Sequence, residues 1–252
     1  METLECIVKF LDSFLNINHI KDDSWNGLQW EGIEKVEKIM CTVDAGADVF
    51  QQAAKMKANL VIVHHGNYWK NVNPSFTGAN KKRMEILYRH NISLYAAHLP
   101  LDMHPEIGNN ILLLKLIGAK KTTGFFPYDG QSISFCGRFT KPKKLDEIIS
   151  KINNSLGIKC RVLPYGVDTV KTVAVISGGG GYAGFNEAIK AGVDLYISGD
   201  TIEVFHSAKD SKINVIFGGH HATETLGVKK LAKILSKRFD VEAEFVDIPT
   251  GL

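Results

Sequence analysis

The hydrophobic positions of this chain fall into short apolar runs that alternate with stretches of helical spacing. The apolar runs have the length of buried strands. They lie at 39–43, 60–63, 92–95 and 214–217, and 241–248 is predicted to form a final strand. Apolar residues that recur every three or four positions, from Leu4 to Leu15 and from Leu226 to Leu235, predict amphipathic helices near both ends. Alternating strands and helices predict an α/β fold.

A weak internal repeat organises the chain. A shift of 135 residues lays 39–65 over 174–200, and the agreeing positions include Gly46 with Gly181 and Phe50 with Phe185. Both copies have the order strand, glycine-containing loop, helix, strand, which is a βαβ unit. We therefore expect two similar α/β lobes built on a duplicated βαβ unit. The lobes are predicted to comprise 1–126 with 215–252, and 127–214, separated by turn residues at 124–130.

Composition narrows the class of protein. The 252 residues are 44% hydrophobic, enough to build a core, and 30 basic against 27 acidic residues give a net charge of only +3. This balance gives no strong signal for nucleic acid. No apolar run reaches the ~20 residues of a membrane span, and the start lacks a signal-peptide pattern. The four cysteines form no Cys-x-x-Cys pair, so we expect free, buried thiols and a cytoplasmic protein.

Two adjacent histidines, His64 and His65, follow the apolar run at 60–63. Ligands placed where such a strand ends project into the cleft in which open α/β sheets bind ligands. Neighbouring residues of an extended chain point to opposite sides, so the pair is better placed to serve two ions than one. This spacing favours a dinuclear metal centre.

Further ligand-type residues follow two other predicted strands. His220 and Glu224 come after the run at 214–217 and share one face of a helix through their i,i+4 spacing. Asp102 follows the run at 92–95 and supplies an oxygen able to bridge two ions. The predicted ligands are therefore His64, His65, Asp102, His220 and Glu224.

This mixed nitrogen and oxygen set predicts two divalent transition-metal ions. Iron or zinc is favoured, while manganese, cobalt and nickel are compatible. The lack of thiolate ligands argues against a closed structural zinc site.

Two more residues are candidates for catalysis. Asp44 follows the strand at 39–43 and can orient a metal-bound water or a ligating histidine, or else cap the following helix. His98 lies four residues before Asp102 and can serve as a proton shuttle, or else donate to a backbone carbonyl.

Two segments are candidates for substrate binding. Gly178, Gly179, Gly180 and Gly181 lie between a strand and a helix, where backbone N–H groups can hold a phosphate; the alternative is a plain turn. The segment 67–82, with Tyr68 and Trp69, is predicted to be a mobile covering loop whose aromatic rings stack on a base or form an oligomer interface.

The chain resembles the Ngg-interacting-factor-three-like family, also known as type-two homologues of GTP cyclohydrolase I. The resemblance covers nearly the whole chain. It is carried by Trp25-Asn26-Gly27-Leu28-Gln29, Val43-Asp44, His64-His65-Gly66, His98 with Leu101-Asp102, Gly108-Asn109, Gly178 to Gly181, Ser198-Gly199-Asp200, and Gly219-His220 through Glu224.

The resemblance implies a two-metal centre held by the same five residues and a homo-oligomer, often a hexameric ring. It also implies a hydrolase that opens the imidazole ring of GTP on the route to dihydroneopterin triphosphate. One position departs from the family pattern: Val204 stands where a histidine often follows the aspartate matching Asp200, and the nearest candidate is His206. Two other functions share these ligands: a non-catalytic metal-binding, metal-delivery or regulatory protein, and a metal-dependent phosphoesterase.

Overall fold

The computed structural model describes residues 1–252 and divides into two compact units. The first unit comprises Met1–Leu101 with Gly227–Ile248, and the second Asp102–Leu226 with Pro249–Leu252. These boundaries differ from the predicted 1–126 with 215–252 and 127–214. Residues 102–126 belong to the second unit because their helix packs into its core, and 215–226 belong there because their strand pairs within its sheet.

A five-stranded sheet forms the centre of the first unit, in the order β13-β4-β5-β6-β2. β2 is antiparallel to β6, and the other neighbours are parallel. The elements of this unit are β1 (Glu2–Thr3), α1 (Leu4–Phe14), β2 (Gly27–Trp30), β3 (Lys35–Val36), β4 (Lys38–Asp44), α2 (Ala47–Lys55), β5 (Leu60–His65), α3 (Gly78–Arg89), β6 (Ser93–Ala96) and β13 (Glu242–Phe245). A 3₁₀ turn covers Ile17–His19, and β1 pairs with β3 as a separate ribbon.

The central strands of this sheet form because both faces are covered. Every residue of β5 from Leu60 to His64 is buried, and β6 is buried throughout. Parallel strands covered on both sides read as continuous apolar runs, which is the pattern seen in the sequence. One face packs on α2 and α3 through Phe50, Ala53 and Leu87. The carboxyl ends of β4, β5 and β6 therefore lie beside one another at one edge of this sheet.

A six-stranded sheet forms the second unit, in the order β7-β8-β10-β11-β12-β9. β10, β11 and β12 are parallel to one another, and the remaining pairs are antiparallel. Its elements are α5 (Asn109–Ile117), β7 (Lys120–Tyr128), β8 (Gln131–Lys144), α6 (Leu145–Leu156), β9 (Arg161–Pro164), β10 (Thr169–Ile176), α7 (Gly181–Lys190), β11 (Leu195–Ser198), α8 (Phe205–Asp210) and β12 (Asn214–Phe217).

Two helices contain residues of both units. α4 (Leu99–Asp102) ends on the first residue of the second unit, and α9 (His220–Arg238) begins in the second unit and continues into the first from Gly227. The predicted helix near the end of the chain is confirmed as part of α9. The residue spacing that predicted it is seen in the buried Leu231 and Leu235.

The predicted turn at 124–130 is wrong for most of its length. Residues up to Tyr128 belong to β7, which forms a hairpin with β8, and only Asp129 and Gly130 turn. Both have positive φ, 46° and 83°, as a two-residue hairpin turn requires. An Asp-Gly pair between two strands is typical of a β-hairpin turn. Asp129-Gly130 therefore marks a hairpin, whereas the glycine and proline content of 124–130 had suggested a boundary between lobes.

A βαβ unit of the predicted kind is present in each unit. In the first, β4 and β5 are parallel neighbours joined through α2. In the second, β10 and β11 are parallel neighbours joined through α7. The shared order explains the similar patterns at 39–65 and 174–200.

The cysteines are free, but the expectation that all are buried is wrong. Cys41 and Cys136 are buried, Cys160 is half-buried, and Cys6 is exposed on α1. α1 is amphipathic, and its buried positions are Leu4, Ile7 and Leu11, which leaves Cys6 outside the apolar stripe. No helix has both the length and the apolar character that a membrane crossing demands.

Candidate metal centre

His64 and His65 end strand β5, and each is held by a different neighbouring strand. His64 is fully buried, and its Nδ1 lies 2.9 Å from the carbonyl oxygen of Ala97, just after β6. His65 Nδ1 lies 2.7 Å from Oδ1 of Asp44, the last residue of β4. The two ring centroids are 4.6 Å apart. The sheet therefore fixes both rings from opposite sides while keeping them adjacent.

The contact with His65 defines the position of Asp44. The N-cap residue of α2 is Gly46, so the alternative of a helix cap at Asp44 is wrong. The carboxylate instead accepts from the imidazole at the edge of the sheet, where β4 and β5 end side by side. This contact keeps the ring proton of neutral His65 on Nδ1 and its lone pair on Nε2.

His98 completes a cluster of three imidazoles within the first unit. Its ring centroid lies 5.1 Å from that of His64 and 5.6 Å from that of His65. One ligand nitrogen from each of the three histidines lies within 4.8 Å of the others, a grouping able to hold a metal ion. His98 also packs against Trp69, with 4.9 Å between ring centroids. It donates to a carboxylate and not to a backbone carbonyl, so the structural alternative foreseen for it is wrong.

Asp22 is the residue that orients His98, and sequence reasoning missed it. Its two carboxylate oxygens lie 3.0 and 3.1 Å from Nδ1 of His98. The same carboxylate accepts from the backbone N–H groups of Ser24 and Leu99 and from the side chain of Asn26. Asn26 in turn accepts from the backbone N–H of His98 at 2.7 Å. The only signal for Asp22 was its place just before the Trp25-Asn26 motif.

These donors decide the ionisation of Asp22. Its side chain is only 3% exposed, and burial by itself would raise the pKa of this carboxyl. The hydrogen bond and charge of His98, together with Asn26 and Ser24, outweigh burial and lower the pKa below its ordinary value of 3.8. Asp22 is therefore a carboxylate at neutral pH, able to balance a positive charge on the His98 ring.

His220 and Glu224 form the corresponding group in the second unit. Both lie in the first turns of α9, and His220 Nε2 is 3.3 Å from Oε2 of Glu224, as the i,i+4 spacing predicted. Nδ1 of His220 is 2.8 Å from Oδ1 of Asp200, which follows β11. Glu224 is 2% exposed, so its carboxylate requires compensation by cationic or hydrogen-bonding groups.

Asp102 is buried and held by two donors in the second unit. Its Oδ1 accepts from Nδ2 of Asn109 at 2.8 Å and from Oγ of Ser177 at 3.1 Å. Ser177 is positioned by Asn110, whose Oδ1 accepts from the Ser177 backbone N–H at 2.7 Å. These contacts fix the direction of the carboxylate. Asn109 belongs to the Gly108-Asn109 pair of the sequence, to which the sequence alone assigns no role.

At Gly178 and Gly179, packing against neighbouring side chains leaves no room for a Cβ. A Cβ at Gly178 would overlap Oε1 of Glu224 and lie 3.0 Å from Nε2 of His220, and one at Gly179 would lie 2.7 Å from Oδ2 of Asp200. The backbone N–H groups of Gly178 and Gly180 donate to hydroxyls of Thr223 and Ser198. The run therefore lets the ligand-type side chains approach the backbone. Its role in substrate binding stays a prediction, which now depends on Gly179 and Gly181.

A common arrangement unites the histidines. Nδ1 of each of His64, His65, His98 and His220 faces an oxygen acceptor. Histidines that ligate metals through Nε2 almost always donate the other nitrogen to a carboxylate or carbonyl in this way. Imidazole nitrogens, and carboxylate oxygens such as those of Asp102 and Glu224, are donor types that divalent transition metals accept. His206, by contrast, lies on α8, where its ring packs against Phe205.

The chain is similar in sequence to known proteins over nearly its whole length. It matches the family model described as Duf34/NIF3 (NGG1p interacting factor 3) over residues 2–250. A protein of Archaeoglobus fulgidus named GTP cyclohydrolase 1 type 2 homolog is 44% identical over 247 residues, covering 98% of both chains. A Pseudomonas aeruginosa protein of the same name is 37% identical over 248 residues, covering 98% of this chain and 97% of its own.

Solved structures share the fold over the full length. TTHA1606 from Thermus thermophilus superposes with a TM-score of 0.88 at 37% identity, and both chains are covered completely. The structural-genomics protein ybgI, described as of unknown function, gives a TM-score of 0.92 at 35% identity, again over 100% of both chains. These similarities confirm the predicted α/β fold.

Replacement of Asp22 by asparagine is expected to lower the free energy of unfolding by about 3 kcal/mol, because a buried carboxylate that accepts several hydrogen bonds is lost. The pKa of Asp22 is lowered on folding, so its contribution is present above pH 3.8 and is lost as the pH falls through the folded pKa. The difference between Asp22→Asn and the parent should therefore shrink in acid.

Denaturant unfolding at several pH values measures this difference. Asp23→Asn is the matched control, since Asp23 is 54% exposed and lies 3.7 Å from Lys70, and it should cost less than about 0.5 kcal/mol. Equal losses for the two variants would contradict the role given to Asp22.

Replacement of Gly178 by alanine is expected to weaken metal binding about tenfold or more, because the added Cβ displaces Glu224 without removing a ligand. Gly192→Ala is a matched control: φ is 60° at Gly178 and 62° at Gly192, and nothing lies within 4 Å of a Cβ at Gly192. Both variants should lose about 1 kcal/mol of stability to backbone strain. Competition titration with a zinc chelator measures the affinity, and equal affinities would show that the close approach is irrelevant.

Proposed function

This chain belongs to the Duf34/NIF3 family, and on that basis we propose that it is a metal-dependent hydrolase that acts on GTP. Relatives that cover 98% of this chain are named GTP cyclohydrolase 1 type 2 homolog, which supports a nucleotide substrate. The observation that carries the proposal is the set of histidines whose Nδ1 atoms face oxygen acceptors. This is the arrangement expected of metal ligands.

The proposed ligands of two ions are His64 and His65 from the first unit, and Asp102, His220 and Glu224 from the second. Support comes from the orientation of each side chain within its own unit. Bound transition-metal ions supply Lewis-acid activation of water and polarise the electrophile. Iron or zinc is favoured for this nitrogen and oxygen set, and manganese, cobalt or nickel is compatible with it.

His98 is proposed to handle the proton of the attacking water. Water adds to C8 of the guanine base, and the C8–N9 bond breaks to open the imidazole ring on the route to dihydroneopterin triphosphate. His98 accepts the proton of the water at Nε2, while the Asp22 carboxylate at Nδ1 stabilises the imidazolium. The proton then passes to a nitrogen of the opening ring. The hydrogen bond with Asp44 keeps the His65 ring oriented with its Nε2 available to a metal ion.

The glycine run is proposed to contact the triphosphate. The N–H groups of Gly178 and Gly180 donate within the protein, so those of Gly179 and Gly181 are the proposed donors. Gly181 opens α7, where the helix dipole favours negative charge.

Loss of metal and loss of turnover should occur together in ligand variants. Protein reconstituted with iron, zinc or manganese is expected to convert GTP, and His64→Ala or Asp102→Ala should reduce bound metal and abolish turnover, because each removes a ligand. His206→Ala is the control, since this histidine packs against Phe205 on α8. Metal content by elemental analysis and product by chromatography provide the two measurements.

The products distinguish the other functions. Released phosphate in place of a ring-opened purine would identify a phosphoesterase. Bound metal that is passed to an acceptor protein, with no nucleotide turned over, would identify a metal-delivery protein. Turnover that survives both His64→Ala and Asp102→Ala would contradict the hydrolase proposal itself.

Assembly is proposed to be a homo-hexamer in the cytoplasm. The family resemblance supports a ring of subunits, and free cysteines are typical of a reducing compartment. Light scattering of the purified protein should give a mass about six times the 27.9 kDa of one chain. A mass equal to that of one chain at micromolar concentration would contradict the hexamer.

A further inference from the structure

A cavity of about 530 Å³ lies in the first unit, between the segment before β2 and the loop after β5. Its volume lies in the range of pockets for small molecules. The apolar part of its wall consists of Trp25, Leu28, Tyr68, Trp69, Val72 and Pro74. The mechanism proposed above uses none of these side chains.

The wall of this cavity is held by backbone hydrogen bonds between its two segments. The N–H of Trp25 donates to the carbonyl of Tyr68 at 3.0 Å, and that of Lys70 donates to the carbonyl of Asp23 at 2.8 Å. The Trp69 indole donates through Nε1 to the carbonyl of Gly66 at 3.1 Å. The two segments and the Trp69 ring are therefore held in place, which reduces the entropy lost on binding a ligand.

Gln29 adds a second connection between these segments. Its Nε2 donates to the carbonyl of Trp25 at 2.6 Å, and its Oε1 accepts from the N–H of Asn67 at 2.8 Å. The sequence motif that contains Trp25 and Gln29 is thereby tied to the loop that contains Tyr68 and Trp69. The last part of the predicted loop segment 67–82, from Gly78, is helix α3.

The cavity adjoins the imidazole cluster through Trp69. The ring centroid of Trp69 lies 4.9 Å from that of His98 and 6.0 Å from that of His65. A flat molecule stacked in the cavity would thus place one edge beside the histidines. This position connects the cavity to the proposed chemistry.

The cavity has the character of a stacking site. Trp25 is 69% exposed although it is a large aromatic residue, so it contributes little to the core. Aromatic side chains of this kind stack on nucleobases because every base has a π face. Among the lining residues only Lys70 carries a charge, and it is positive, which favours an anionic ligand such as a nucleotide.

We propose that this cavity binds the purine base of the nucleotide, stacked on Trp25 and Trp69. The inference rests on the proposed function and specifies where the base of that substrate lies. A second copy of this chain is the other occupant that an aromatic surface can accept, and the experiment distinguishes the two.

Calorimetric titration of chelator-treated, metal-free protein tests the proposal independently of turnover. Guanosine supplies the base without phosphate, and tripolyphosphate supplies phosphate without a base. Trp25→Ala should weaken guanosine binding about tenfold, the effect of losing one stacking ring, and should leave tripolyphosphate binding unchanged. Trp25→Phe keeps an aromatic face and should remain within about threefold of the parent.

Tyr88→Ala is the matched control, because Tyr88 is 73% exposed on α3 and does not line the cavity. It should bind guanosine as the parent does. Thermal unfolding of each variant verifies that it is folded. Absence of guanosine binding to the parent, or equal binding to the parent and Trp25→Ala, would overturn the inference. So would a smaller assembly of Trp25→Ala in light scattering with unchanged guanosine affinity, since the cavity would then be an interface between copies.

The two proposals can fail separately. Metal-loaded protein that converts GTP while Trp25→Ala leaves guanosine binding unchanged would overturn the base site and keep the hydrolase. Trp25-dependent guanosine binding without turnover by metal-loaded protein would keep the base site and overturn the hydrolase.

Discussion

The hydrogen bond from an imidazole Nδ1 to a fixed oxygen is the interaction on which this site depends. It recurs at His64, His65, His98 and His220, with acceptors that include a backbone carbonyl and three carboxylates. Each bond sets the orientation of a ring and the tautomer of the neutral imidazole, and so directs the lone pair of Nε2. Without these acceptors the rings would rotate, and a ligand set of the same composition would bind metal less well.

The sheets supply three of those acceptors; the fourth, Asp22, lies in the segment before β2. Ala97 follows β6, Asp44 ends β4 and Asp200 follows β11, so each of these three acceptors stands where a strand finishes beside a histidine. Buried parallel strands end in register, which fixes these positions to the rigid part of the fold. The glycines at 178–179 are a consequence of the same arrangement, since a side chain there would meet Glu224 or Asp200. The positions of Glu224 and Asp200 therefore require glycine at 178 and 179.

Trp69 joins the imidazole cluster to the aromatic cavity within one unit. Its indole makes an edge contact with His98 and also lines the cavity, and its Nε1 donates to the carbonyl of Gly66. Gly66 directly follows the ligand-type pair at the end of β5. The short stretch from His64 to Trp69 thus supplies two imidazoles and an aromatic ring. Asp22, in the segment before β2, is connected to the same cluster through its hydrogen bond with His98.

The sequence by itself determined the α/β class, the buried strands and the pairs His64-His65 and His220-Glu224, because apolar runs and i,i+4 spacing are local patterns. The two compact units divide elsewhere than the predicted lobes, since a strand or helix joins a core through contacts distant in sequence, as residues 102–126 do. Only the tertiary structure identified Asp22, which is 76 positions from His98, and the partnership of Asp200 with His220. Such polar pairs have no period along the chain, and only the folded strands bring them within hydrogen-bonding distance.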